Sequence, residues 1–310
     1  MSTRVVFMGS PEFALPTLQA LAENYQVVGV VTQPDRPSGR GRSLTPPPVK
    51  VLAESLQLPV IQPERLKEPG AMEQLAAWQP EMIVVAAFGQ ILRRAVLDLP
   101  PFGCINVHAS LLPRWRGAAP IQAALLHGDA ETGVTIMKMD PGVDTGPLLS
   151  RRAGPVLPDD TAASLSARLA RTGAELLIET LPAYLQGEIE PQPQDEAGAT
   201  YAPMLKKEDG RLDFSAGAQE LERRVRAFNP WPGAFTHWRG GLLKVHQALA
   251  SDSPSPGSGR RLVWNGLPAI GTGRGILVLE EVQPAGKRPM PGKVFLAGAR
   301  EWANGDQPRG

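Results

Sequence analysis

One cysteine, Cys104, occurs in 310 residues. An intramolecular disulfide and a cysteine-based zinc framework are therefore both excluded, which argues against secretion and for a reducing compartment. No apolar run approaches the roughly 18 residues that a membrane span needs. The first nine residues, Met1 to Gly9, hold an apolar stretch too short for a signal peptide. A cytoplasmic protein is expected. Charge of one sign is also lacking: 32 Lys+Arg face 31 Asp+Glu, a formal net charge of +1. Aromatics make up 5% and apolar residues 42%. Such a composition excludes a highly charged disordered tail protein. A glycine-rich dinucleotide fingerprint is missing too. The first apolar run ends in Gly9-Ser10-Pro11-Glu12, with one glycine where G-x-G-x-x-G would stand. A nicotinamide oxidoreductase loses its main support there.

What is present points to two domains, because a single core has usually stopped growing at this length. Glycine and proline contribute 32 residues each without a G-X-Y period, so many short, pinned connections are expected. The balanced charge is uneven along the chain. Residues 1–205 carry 16 basic and 21 acidic side chains, and residues 206–310 carry 16 and 10. A basic C-terminal third suggests that one domain meets a polyanion.

Apolar, β-branched runs at Val5–Met8, Val27–Val31, Met82–Ala87, Cys104–Val107 and Val134–Met139 read as buried strands. Helical patterns lie between them at Glu12–Ala22, Val49–Leu56 and Pro120–His127. This alternation predicts an α/β, doubly wound (Rossmann-like), mostly parallel sheet. Its ligand crevice belongs beyond the carboxyl ends of the strands. A long helix is expected over Thr161–Gln186, capped by Asp159 or Asp160. Residues 187–200, rich in proline and polar side chains, read as an exposed linker. Beyond it a helix at Ala218–Phe228 and short strands at Ala234–Trp238, Leu242–Gln247, Leu262–Trp264, Gly275–Val282 and Lys293–Leu296 suggest a small, second β-barrel domain. The expected division is a catalytic domain over 1–186, a linker over 187–207 and a smaller domain over 208–310.

Three segments carry chemistry. In Asn106-Val107-His108-Ala109-Ser110-Leu111-Leu112-Pro113, residues 106 and 108 project to the same side of a strand. An imidazole beside a carboxamide donor suits acyl chemistry, although the same pattern also makes an ordinary turn. In Asp140-Pro141-Gly142-Val143-Asp144-Thr145-Gly146-Pro147 two carboxylates sit among residues that fix the backbone. An Asp there can orient a His or hold it charged, or it can belong to a simple Asp-Gly turn. This segment follows the next strand, so it is expected at the same end of the sheet. The loop 32–48 is far longer than a usual βα connection of about 2–6 residues. It carries Arg36, Arg40 and Arg42 among glycines, which suits phosphate binding. No nucleophile accompanies these groups. Cys104 reads as inert core, and Ser110 lacks the G-x-S-x-G context. Direct transfer without a covalent enzyme intermediate is expected.

The sequence resembles the methionyl-tRNA formyltransferase family of the folate-dependent formyltransferase superfamily. The carrying segments are Thr32–Pro37, Gly103–His108, Ser110–Gln122, Asp144-Thr145-Gly146 and Arg226–Pro232. The Asn-x-His…Asp set marks the superfamily. The basic loop and Phe228-Asn229-Pro230-Trp231-Pro232 narrow it to the tRNA family. The resemblance implies formyl transfer from 10-formyltetrahydrofolate to the α-amine of methionyl initiator tRNA, through a tetrahedral intermediate. It implies an OB-like, tRNA-contacting C-terminal domain, a monomer and no metal. Its catalytic positions fall on Asn106, His108 and Asp144. Its folate contacts fall on Ser110, Leu111, Leu112 and Pro113, with Phe88, Gly89 and Asp140 walling the pterin site. Its tRNA contacts fall on Arg36, Arg40, Arg42 and Lys207. Ala109 stands where Gly is common in the family, and Phe88 where Tyr is common. The rivals are a sibling formyltransferase acting on a ribonucleotide or sugar amine, and a non-catalytic RNA-binding module.

Overall fold

A computed structural model describes residues 3–38 and 43–303. The apolar runs of the first half assemble into a seven-stranded sheet. Its spatial order is Leu148–Pro155, Glu131–Lys138, Cys104–His108, Met82–Ala86, Arg4–Gly9, Gln26–Val31, Val60–Ile61. The strands from 104–108 to 60–61 pair in parallel. Val5, Val6, Phe7, Ile83, Val84 and Ile105 are all fully buried. Consecutive buried residues require cover on both faces, as a doubly wound sheet provides. The last two strands, 131–138 and 148–155, run antiparallel. The edge strand 148–155, missed in the sequence, has only half-buried and exposed residues, so no apolar run marks it.

The chain divides into two compact units. The first comprises Met1–Pro120, Glu131–Pro155 and Ser166–Tyr201, the second Ile121–Ala130, Val156–Leu165 and Ala202–Gly310. In the first, the long helix Ala162–Leu185 buries Leu169, Leu176, Leu177 and Leu181. Gly173 lets it approach the sheet: a Cβ there would lie 2.6 Å from Val107 Cγ1. Val107 thus faces the helix, and its neighbours Asn106 and His108 face the other side of the sheet.

In the second unit the start of that helix is capped reciprocally by Thr161 and Ser164, each side-chain oxygen accepting the other's backbone N–H. Asp160, expected as the cap, instead accepts from the Ser164 hydroxyl and the Leu157 N–H. The C-terminal strands form an antiparallel sheet in the order Ala234–Trp238, Gly241–Ser251, Ile276–Pro284, Leu267–Gly271, Arg261–Trp264. The helix Ala218–Ala227 buries Leu221 and Val225 in the same core. The strand expected at Lys293–Leu296 is a helix, Gly292–Gly298. Pro291 precedes its first residue, and Phe295 and Ala299 enter the core at a helical i, i+4 spacing. That spacing, not the β-propensity of Val294 and Phe295, decided the outcome.

Candidate functional site

Asn106 and His108 are buried on the face of the 104–108 strand opposite Val107. Asp144 reaches both. Asn106 Nδ2 donates to Asp144 Oδ1 at 3.4 Å, and His108 Nδ1 lies 3.7 Å from Asp144 Oδ2. The route differs from the one expected. The 131–138 strand is antiparallel, and Lys138 pairs with Ile105 while Thr135 pairs with His108. The 140–147 segment therefore leaves at the amino end of the 104–108 strand. It folds back over the sheet face to deliver Asp144 beside Asn106.

Local chemistry fixes that return. Asp140 Oδ1 accepts from Gly142 N–H at 3.0 Å and from the Thr145 hydroxyl at 2.7 Å. Gly146 passes so close to the Lys138 carbonyl that a Cβ would overlap it. Asp144 itself has φ +52°, a left-handed conformation unusual outside glycine. Its Oδ2 accepts from Gly117 N–H at 2.8 Å. Asp140 thus shapes the loop that presents Asp144.

A carbonyl can only accept, so the 3.0 Å contact between His108 Nε2 and the Trp115 carbonyl makes Nε2 the protonated nitrogen. Nδ1, on the Asp144 side, is left as the nitrogen that can take or give a proton. The arrangement places an amide N–H donor, an exchangeable imidazole nitrogen and a carboxylate in one cluster. It suits stabilising a developing oxyanion and moving a proton.

Among the expected folate contacts, Ser110 and Leu112 have no accessible surface. The Ser110 hydroxyl donates to the Arg114 carbonyl at 2.6 Å, and its own carbonyl accepts from Thr135 Oγ1, which in turn accepts from Leu112 N–H. Both residues shape the segment, while Leu111 and Pro113 are half-buried. Phe88 is buried, and its carbonyl accepts from Gln33 Nε2 at 3.1 Å. Gly89, next to it, is exposed with φ +79°. Arg36 is exposed and donates to Gln33 Oε1. Arg40 and Arg42 lie outside the described residues. Lys207, in the second unit, is exposed at the start of a short 3₁₀ turn. Asp35 accepts from Gln62 and from Lys50, and these contacts lower its pKa. This pins the chain just ahead of the loop's arginines.

Cys104 is buried two residues before Asn106, with a pKa pushed up to about 12 chiefly by burial. Its thiolate is therefore scarce near neutrality, as an inert core thiol requires. Iodoacetamide at about pH 8 should leave the folded protein unlabelled and modify Cys104 once the chain is unfolded. Mass spectrometry of both samples checks this; rapid labelling of the native chain would contradict it.

The sequence reading missed a buried cation beside this cluster. Arg116 is fully buried. It donates to Glu196 through Nη1 at 2.9 Å and Nη2 at 2.8 Å, and to Gln194 Oε1 through Nε and Nη2. The Glu196 carboxylate raises the arginine's pKa, and Arg116 lowers that of Glu196. Arg116 stands inside a segment singled out for its resemblance. Gln194 and Glu196 sit in a stretch whose composition reads only as linker.

Comparison with known proteins agrees across the chain. A family model described as formyl transferase matches residues 3–181, and one described as formyl transferase, C-terminal domain, matches residues 204–300. The chain is similar to methionyl-tRNA formyltransferase of Myxococcus xanthus, 53% identical over 98% of this chain and 97% of the relative. It is also similar to methionyl-tRNA formyltransferase of Chloroflexus aurantiacus, 51% identical over 95% of this chain and 96% of the relative. Among solved structures it is similar to HypX from Aquifex aeolicus in complex with tetrahydrofolic acid. That match has a TM-score of 0.64 and 18% identity, covering 100% of this chain and 49% of HypX. The chain thus spans about half the length of HypX, and at that identity the likeness concerns the fold.

Proposed function

The chain belongs to the formyl transferase family in both of its parts, and on that premise we propose that it transfers a formyl group from 10-formyltetrahydrofolate to the α-amino group of methionyl initiator tRNA. The observation that carries the reading is the junction of Asn106, His108 and Asp144 within 3.4–3.7 Å, formed from segments 38 residues apart.

The donor set fits a formyl-bearing substrate, because an oxygen that gains negative charge needs N–H groups aimed at it. When bound, the folate supplies a formyl group on a nitrogen that must leave protonated. Asn106 Nδ2, and His108 Nδ1 whenever it carries a proton, would donate to that oxygen, an interaction typically worth several kcal/mol. His108 Nδ1 is also the site through which a proton passes. Asp144 orients the ring and balances its charge whenever Nδ1 carries the proton. Leu111 and Pro113 would contact the folate, with Phe88, Gly89 and Asp140 walling its pterin.

The basic side of the reading rests on composition. Arg36, Arg40 and Arg42 in the loop, Lys207 and the positive C-terminal third suit an RNA backbone. Residues 1–186 would carry the chemistry, 187–207 would link, and 208–310 would meet tRNA as an OB-like domain. The protein would act as a cytoplasmic monomer. No helix among the described residues is long and apolar enough to cross a membrane.

Initial rates with charged initiator tRNA, charged elongator tRNA and free methionine test the reading. Fast formylation of the initiator alone is expected; formylation of free amines or nucleotide sugars in its place overturns it. In the same assay Arg40→Ala should raise KM for tRNA and flatten its salt dependence, with KM for the folate unchanged. An equal rise in both KM values would contradict a phosphate-binding role.

A further inference from the structure

We infer that the segment 192–200 is part of the active site, and that Gln194 is a positioning residue for Asp144. The inference rests on the formyl-transfer role proposed for Asp144.

The composition of this stretch reads as linker, and most of it is exposed. Three of its residues nevertheless grip the cluster. Gln194 is half-buried, and its Nε2 donates to two carbonyls of the returning loop, Asp144 O at 2.8 Å and Gly146 O at 2.7 Å. Its Oε1 accepts from Arg116 Nε at 3.1 Å and Nη2 at 2.9 Å. Glu196 closes the fork on the same guanidinium. The amide is thereby fully used: its oxygen is fixed by a buried cation, so its nitrogen points at the loop. The residue it holds sits at φ +52°, a conformation the neighbourhood must impose.

The third residue is Thr200. Its Oγ1 accepts from Trp115 N–H at 2.9 Å, and its carbonyl accepts from Arg116 N–H at 2.9 Å. Trp115 also has a left-handed backbone, φ +61°, and its carbonyl fixes His108 Nε2. One strip of chain therefore sets both the carboxylate and the imidazole. Gln192 anchors its start through paired backbone bonds with Leu148, at 2.7 and 2.8 Å. From 202 onward the chain belongs to the second unit. The strip that steadies Asp144 is thus the one that leads directly into the part proposed to meet tRNA.

The test uses the full chain and a pair of substitutions. Gln194→Glu keeps the acceptor toward Arg116, so the strip stays docked, but a carboxylate cannot donate to the two carbonyls. Gln194→Leu removes both functions. A loose loop should cost kcat about 10- to 100-fold, the scale of a displacement of about 1 Å in a reacting group. For Gln194→Glu both KM values should stay near wild type while kcat falls, a split that a purely structural role would not give; the carboxylate set against two carbonyl oxygens should lower the thermal midpoint as well. Asp144→Asn is measured alongside. Wild-type kcat in Gln194→Glu beside an inactive Asp144→Asn overturns the clamp alone. Wild-type kcat in Asp144→Asn overturns the reading on which the clamp rests, and the clamp with it. If Gln194→Leu does not fold, Gln194→Glu still decides the matter.

Discussion

Replacing Asp144 by asparagine is expected to lower kcat for formyl transfer by about 10²- to 10⁴-fold, with both KM values little changed. The two oxygens of Asp144 face different donors, Asn106 Nδ2 and Gly117 N–H. An asparagine must turn its NH₂ toward one of these, setting donor against donor. The substitution also removes the charge opposite His108 Nδ1, 3.7 Å away. The ring then loses its counter-charge whenever Nδ1 is protonated. The effect falls on the transition state, where charge develops, and not on ground-state binding. Single-turnover rates at saturating folate and tRNA measure it. A loss below about 10-fold would remove Asp144 from the chemistry, since one oxyanion-type interaction is normally worth more.

The second large effect concerns stability. Trp302 is 1% exposed. Its Nε1 donates to the Leu262 carbonyl at 3.0 Å. Its ring meets Phe295 edge-on at 5.4 Å and Trp238 at 6.4 Å. Trp302→Ala should destabilise the C-terminal unit by about 3–5 kcal/mol, as expected for truncating a buried Trp. Trp302→Phe should cost less, because it keeps most of the ring contacts and forfeits the hydrogen bond, worth about 1 kcal/mol. Urea unfolding followed by circular dichroism separates the two. Equal and small losses, below about 1 kcal/mol, would mean that the core closes without this residue.

The parts legible in the sequence are those set by short-range periodicity. Val5–Met8 and Val27–Val31 declare themselves by valine-rich runs free of charged and polar side chains, and each forms a strand extended by only one or two residues. Asn106 and His108 share a face because strand side chains alternate. Strand direction is not written in such a pattern. The pattern therefore marks Asp144 but not its approach over the amino end of the 104–108 strand. The helix Gly292–Gly298 is hidden because it is only seven residues long, so its single i, i+4 pair, Phe295 and Ala299, is outweighed locally by the β-propensity of Val294 and Phe295. The helix Pro69–Ala77 opens on Pro-Gly and buries only Ala71 and Leu75, too little of a stripe to detect. Gln194 was invisible because its partners lie about 50 and 78 residues away in sequence. Proline and polar neighbours gave it the appearance of solvent-exposed chain.

The central claim is direct transfer at Asn106, His108 and Asp144, with no covalent formyl-enzyme. Rapid-quench analysis with a formyl-labelled 10-formyltetrahydrofolate and charged initiator tRNA tests it most directly. Label should pass to the methionyl amine in a single phase, with none on the protein at any time, and transfer should collapse in Asp144→Asn. Label appearing on the protein before tRNA is added, or reaching tRNA as fast in Asp144→Asn as in wild type, would contradict it.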